Sequence, residues 1–324
     1  LWLQSMTSDS IRKGFADLKS DQDLIPLSNA AKCRAEADWL IGINGTRAMT
    51  AFNSTKGGFY KTPVGRVQTP TLAIVVERDE KIKKFVFKKY WEIIASLKVN
   101  DGVYIGKWFD PDFKRSTENP DNREERIWNV ERATEILTTV KNKTGKTKET
   151  TKKSMQSPPL LFDLTSLQRE ANAKFGFSAK NTLSLAQALY DKHKLLTYPR
   201  TDSKALPEDY VQTVIDTINN LKSLAHYHEF CNKALKHGIS KSNSKIFNNK
   251  KISDHFAIVP TGLIPKKLSE PEQKIYDLVL KRFLACFFPP AEFLNTKRVT
   301  TIEGHNFKTE GKIIIKQGWL ELYV

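Results

Sequence analysis

Apolar positions along the chain change their period three times, from helical spacing to alternation and then through both again. Ile11, Phe15 and Leu18 follow Thr7 at helical spacing and predict a helix over about 5–20, with Thr7 as its N-cap. A longer helix is expected from Ser28 through "SNAAKCRAEADWLIGINGTRAM", and a third over about 66–81, with Pro70 in its first turns. The period then drops to two. "FVFKKYWEIIASLKVNDGVYIGKWF" alternates, and its Asn100-Asp101-Gly102 is a hairpin turn signal. Residues 110–125 read as a polar loop, and a short helix is expected near 131–140. The Lys/Thr-rich run 141–154 suits an exposed strand or a linker, and Pro158 and Pro159 mark a boundary. Helical spacing returns at about 164–175 and 178–191, and Pro207 is placed to begin a further helix. Residues 238–251 read as a mobile basic loop, a helix is expected near 270–288, and the stretch from Phe293 alternates like strands. No internal repeat is visible. Helices, strands, helices, strands in that order imply a mixed α+β, multidomain protein.

Length and charge sharpen this. At 324 residues the chain is too long for one compact core and suits two or three domains. Its 52 lysines and arginines outnumber 36 acids, a formal charge of +16 that favours a polyanionic partner. Nucleic acid comes first. A membrane surface comes second, but there is no 18-residue apolar run, no amphipathic anchor and no signal peptide. Cys33, Cys231 and Cys286 are far apart and form neither a disulfide framework nor a CxxC motif, so no zinc is expected and a reducing cytoplasm is the default. No GxxxxGK[ST] loop is present, and no ATP is expected. The opening "LWLQSM" lacks an initiator methionine and reads as part of something longer.

The chemistry concentrates in "KLLTYPRTDS", Lys194 to Ser203. Leu195 and Leu196 lead to Tyr198, and Pro199 ends any regular element there. The phenol therefore sits at an element end, where functional groups are presented. A phenol ordinarily ionises near pH 10 and attacks poorly unless cations stabilise the phenolate. Arg200, two residues on, can supply that and hold two phosphodiester oxygens. Attack on phosphorus would give a phosphotyrosine. Taken alone, the pair also fits a tyrosine packed at a strand end beside a solvated arginine. His226-Tyr227-His228 is a His-hydrophobic-His triplet of the kind metal-dependent relaxases use, though it follows a helix and not a strand. Asp21 with Asp23, and Asp110 with Asp112, are Asp-x-Asp pairs in polar stretches without a matching glutamate, poor candidates for a metal.

"LLTYPRTDS" resembles the active-site signature of type IA DNA topoisomerases. Four further segments resemble that family's motifs in the family's order: "CRAEADWLIGINGTRA" (33–48), "PVGRVQTPTLAIVVERDEKI" (63–82), "PPLLFDLTSLQREAN" (158–172) and "SDHFAIVPTG" (253–262). The "QTPTL" and "AIVPT" wording is most similar to the bacterial topoisomerase III branch. The resemblance implies that Tyr198 is the nucleophile of a 5′-phosphotyrosine link. It implies that Arg200 clamps the scissile phosphate and that His255 bonds the phosphate or helps move a proton. Arg34 and Asp38, four apart on one helix face, would line a single-strand groove, with Arg66 and Gln68 at a helix start suited to phosphate. Thr201, Asp202 and Ser203 would lie beside the strand. Two positions depart from the family: Pro63 stands where many relatives have a small hydroxyl residue, and Phe256 where a second histidine or an acid is common.

By the same resemblance, residues 1–84 would be a helical domain, 85–157 with 259–324 a discontinuous β-rich arch, and 158–258 a winged-helix-like catalytic-tyrosine domain, together part of a torus. An N-terminal toprim domain holding Mg²⁺ would precede Leu1, with no metal ligands inside residues 1–324. The implied reaction is cleavage and religation of single-stranded DNA without ATP, by a monomer associated with the cytoplasmic nucleoid. Two other readings stay open: a fragment that only binds single-stranded DNA, and a relaxase using His226 and His228.

Overall fold

Thr7 does cap the first helix: its Oγ accepts from the Ser10 amide at 3.3 Å, and α1 runs Ser8–Ala16. The structure, a computed structural model, describes residues 1, 3, 7–55, 57–115 and 121–323. Most of "LWLQSM" and the middle of the polar loop at 110–125 lie outside the described residues. The described chain forms two compact units, residues 17–90 and residues 1–16 with 91–324.

In the first unit, α2 spans Asp21–Asn53 and so begins seven residues before the expected Ser28. Ser20 and Asp23 form a capping box: the Asp23 amide reaches Ser20 Oγ at 3.3 Å and the Ser20 amide reaches the Asp23 carboxylate at 3.1 Å. Those two satisfied donors let the helix start ahead of Pro26, which forfeits one backbone bond. Asp21 and Asp23 therefore lie in a helical turn and not in a loop. The Ser20 hydroxyl and amide hold the Asp23 carboxyl below its ordinary range. The third helix, α3, is Gln68–Lys83. No residue of α2 or α3 is buried.

The second unit carries one antiparallel five-stranded sheet in the order β1-β2-β5-β4-β3. β1 (Ile94–Val99) and β2 (Gly102–Phe109) make the expected hairpin, with Val99 opposite Gly102, whose φ of +141° suits glycine alone. α4 (Val130–Val140) is capped by Asn129. The Lys/Thr-rich run becomes an edge strand, β3 (Lys146–Gln156), fully paired with β4 (Ala291–Ile302), which turns into β5 (His305–Lys316). Ala133, Ile136 and Val140 of α4 pack on Trp108 and Phe307 and cover one face of the sheet. On that face Tyr104 Oη bonds Thr300 Oγ at 2.7 Å and Thr147 Oγ at 3.1 Å, tying three strands.

The larger core lies among α5 (Leu164–Phe175), α6 (Ala179–Asp191), α7 (Val211–Leu221), α8 (His228–His237) and α9 (Glu270–Ala285). The basic stretch 238–251 is anchored here and not free: Ile246 and Phe247 are buried, and the Leu206 amide donates to the Ile246 carbonyl at 2.7 Å. At the start of α9, Glu272 accepts from the Ser269 hydroxyl at 2.6 Å and the Ser269 amide at 2.8 Å, and lies 3.1 Å from His193 Nε2. The Ser269 bonds, with a smaller share from His193, bring the Glu272 carboxyl down to about 2. A folded-state value below the unfolded one contributes stability above the unfolded value, and that contribution is lost as pH falls through the folded value. Glu272→Gln should therefore flatten the loss of stability between pH 4.5 and about 2, as read by urea melts across that range. Among the described residues, no helix is long and apolar enough to cross a membrane.

Candidate active site

The Tyr198 segment is fixed by what lies on either side of it. After α6 the chain turns through Lys194, at φ +57°, and its extended residues run antiparallel to 257–261. The Thr197 amide donates to the Val259 carbonyl at 2.9 Å, and the Thr261 amide to the Leu195 carbonyl at 3.0 Å. The Thr197 hydroxyl adds two bonds. It donates to the Ala257 carbonyl at 2.9 Å and accepts from the Val259 amide at 2.9 Å. Beyond Pro199, the Thr201 hydroxyl donates to the His255 carbonyl at 2.7 Å, and the Leu164 amide donates to the Thr201 carbonyl at 3.0 Å. Two threonines thus latch "TYPRT" to "HFAIV", and Tyr198 and His255 meet with ring centroids 4.4 Å apart. Tyr190, from the last turn of α6, meets the Tyr198 ring edge-on at 5.4 Å.

Thr197→Val keeps the shape of the side chain and removes both hydroxyl bonds. Ala257 and Val259 are buried, so a carbonyl and an amide are left without partners at about 1–3 kcal/mol each. A loss of about 2–4 kcal/mol in urea unfolding is expected, with retention of wild-type stability as the opposing result.

Tyr198 is half-buried, and its hydroxyl makes no hydrogen bond to a described residue. Arg200 is exposed and likewise has no ion pair or hydrogen bond among the described residues. It lines a recess with Lys180, Ser184, Gln187 and Asp191 of α6. A guanidinium with no ion pair among the described residues, close in sequence to a phenol with no hydrogen bond among them, is suited to an anion. His255 is exposed, with its ring against Tyr198. Phe256 points the other way, onto Tyr210 at 4.9 Å.

The neighbours Thr201 and Ser203 are buried. Their exposures are 8% and 3%, and their hydroxyls are used internally, Ser203 on the Lys251 carbonyl at 2.8 Å. They hold the loop. Asp202 is exposed and accepts from Ser253 Oγ at 3.1 Å.

In the other unit, Asp38 lies between two cations, 3.1 Å from Arg66 and 3.9 Å from Arg34. Arg66 also reaches the Arg34 carbonyl at 3.5 Å. Gln68 is exposed at the first position of α3. These four residues gather on one surface with a surplus of positive charge.

The remaining candidates do not form a metal site. His226 and His228 are exposed at the start of α8, and His228 Nδ1 is 3.0 Å from the Lys222 carbonyl. Asp110 accepts from the Asp112 amide at 3.0 Å in a local turn. Among the described residues, no group of three or more His, Cys, Asp or Glu could hold a metal ion.

Sequence reasoning missed Tyr190 and the two threonine latches. Thr197 and Thr201 flank the quoted tyrosine, but their partners lie about sixty residues away and no local pattern announces them.

Against known proteins, the profile of the family described as DNA topoisomerase matches residues 23–324. The DNA topoisomerase 3 proteins of Bacillus licheniformis and Bacillus subtilis are 41% and 40% identical over 329 residues, covering 100% of this chain and 42% of each relative. The chain thus spans less than half the length of these relatives. The full-length topoisomerase I of Thermotoga maritima shares the fold, with a TM-score of 0.65 at 22% identity over 100% of this chain and 50% of that one. With its five motif segments in order and a profile match over nearly its whole length, the chain belongs to the type IA DNA topoisomerase family, on its topoisomerase III side.

Proposed function

We propose that the chain is the strand-cleaving core of an enzyme that changes DNA topology, an isomerase. Tyr198 Oη attacks a phosphodiester of a single strand, the P–O bond to the 3′ oxygen breaks, and the 5′ phosphate stays on the tyrosine. The phenol proton leaves and the departing 3′ oxygen gains one. The 3′ hydroxyl later reverses the exchange, so bond energy is conserved and ATP is not consumed. The observation that carries this reading is the Tyr198 phenol, set between Tyr190 and His255 without a hydrogen bond among the described residues, with Arg200, which has no ion pair among them, two residues further on. Arg200 would neutralise the non-bridging oxygens, and His255 would donate to the phosphate or relay the proton. Arg34, Arg66 and Gln68 would bind the strand backbone, with Asp38 setting the two guanidinium positions.

The Mg²⁺ that the family implies does not fit the residues present, which include no suitable ligand group among those described. Its ligands would come from outside residues 1–324. By the same reading, 158–258 is the winged-helix-like tyrosine domain, 85–157 with 259–324 the arch, and 1–84 the helical domain of a ring-shaped monomer working at the nucleoid. The test is denaturant-resistant attachment of a labelled single strand to a protein of the relatives' full length. Binding without attachment under any divalent ion would favour the binding-only reading.

A further inference from the structure

The turn between α7 and α8, the stretch before α9 and one face of α9 line a cavity of about 330 Å³. None of its lining residues belongs to the Tyr198 site. Leu224, Tyr227 and Pro265 give it apolar walls, and a few polar side chains converge on it. That size and that mixture are those of a small-molecule site. His226 and Tyr227, two members of the His-Tyr-His triplet, line this cavity, so the triplet has a place in the fold without a metal.

Asp277 is held in position there. Its Oδ1 accepts from the Tyr227 hydroxyl at 3.1 Å and from Gln273 Nε2 at 3.0 Å. Burial, helped by the Asp277 charge, pushes the Tyr227 phenol up, so it keeps its proton and stays a donor. Asp277 Oδ2 accepts from no described residue. Lys281 lies one turn further along α9, at a spacing that ordinarily closes an ion pair. Here neither residue has an ion pair among the described residues, and both line the cavity. Tyr276, in the same wall, is fully buried, and its hydroxyl has no hydrogen bond among the described residues. Such groups are few in native proteins, and each calls for a partner.

We propose that this cavity binds a free guanine mononucleotide, with the base against Asp277 and the phosphate against Lys281 and His226. A carboxylate with an open oxygen selects N–H donors, and an unpaired ammonium selects an anion. One ligand must therefore carry both, joined by a body that suits apolar walls. A planar base linked to a phosphate has that form. Guanine is chosen among the bases because its ring edge offers two adjacent N–H donors, and an ionised carboxylate oxygen has two lone pairs to accept them. A free nucleotide is chosen over a DNA strand because the Asp277 charge repels a continuous phosphate backbone.

The test is calorimetric titration of the 324-residue chain with guanosine monophosphate, and saturable binding is expected. Guanosine, which lacks the phosphate, and ribose 5-phosphate, which lacks the base, should each bind weaker by about tenfold or more. Asp277→Asn and Lys281→Gln should each weaken guanosine monophosphate by about 10–100-fold, because each removes a bond to a charged group. Asp277→Asn keeps an oxygen for Tyr227 and Gln273, and if its urea melt is nonetheless shifted, Lys281→Gln alone decides. Lys236→Gln, on α8 outside the cavity, changes the net charge equally and should leave binding as it was. No saturable binding, or an equal loss with Lys236→Gln, overturns the site. Equal affinity for adenosine monophosphate overturns the guanine assignment, and displacement of the nucleotide by a short single-stranded oligonucleotide overturns the choice of a free ligand.

Discussion

Replacing Tyr198 by phenylalanine should abolish covalent capture of DNA and leave strand binding near the unmodified level. The variant removes one oxygen. Its ring still meets Tyr190 and His255, and no hydrogen bond is lost because the hydroxyl has none among the described residues. Stability should therefore hold while chemistry vanishes, a separation that a merely packed tyrosine would not produce. The measurement is a labelled oligonucleotide that stays with the protein through denaturation, in a protein of the relatives' full length. Capture by the phenylalanine variant would show that another group attacks. His226→Ala and His228→Ala should leave capture unchanged, since both rings lie exposed at a helix start without further metal ligands.

Arg200→Lys should slow cleavage by about 10²–10³, or about 2.7–4 kcal/mol, although the charge is kept. Arg200 is exposed, without an acid partner, and Pro199 fixes the chain direction between it and the nucleophile. As charge grows on the non-bridging oxygens, the planar guanidinium can make two parallel charge-assisted bonds. A lysine ammonium is a point charge and loses one of them. Strand affinity should fall far less, since Arg34, Arg66 and other cations would also hold the backbone. Single-turnover cleavage of a labelled single strand is the readout. A loss below about threefold, under 1 kcal/mol, would remove Arg200 from the clamp role.

What could be read from the sequence follows the range of the interactions involved. α5 and α6 were legible because apolar spacing and local caps, Asp163 and Ser178, act within a few residues. The β1–β2 hairpin was legible from its turn. α2 starts seven residues before the expected Ser28, since the Ser20–Asp23 capping box begins the helix ahead of Pro26. β3 could not be told from a linker: its exposed lysines and threonines carry no alternation, and pairing with β4, far along the chain, makes it a strand. The stretch 238–251 looks mobile by composition, yet two apolar residues pin it to the core. At the site, the chemistry of Tyr198 and Arg200 at an element end singled them out, and resemblance to family motifs added His255. Spacing alone could not have placed His255 against Tyr198, because the Thr197 and Thr201 latches join segments far apart in sequence.

Those latches have a mechanical consequence. If a strand is esterified to Tyr198 as proposed, any tension in it would enter the protein through this one side chain. A single hydrogen bond, with a net strength of about 0.5–1.5 kcal/mol, would be a poor anchor. Here the pull is shared on both sides of the tyrosine: upstream by the Thr197 and Thr261 amides and the Thr197 hydroxyl, downstream by the Thr201 hydroxyl and the Leu164 amide. Because these bonds load together, the mooring resists drag that would strip them singly. In the proposed reaction the nucleophile and the His255 backbone would move as one piece, and the cut end would return to its 3′ hydroxyl with the neighbours it had when it was broken.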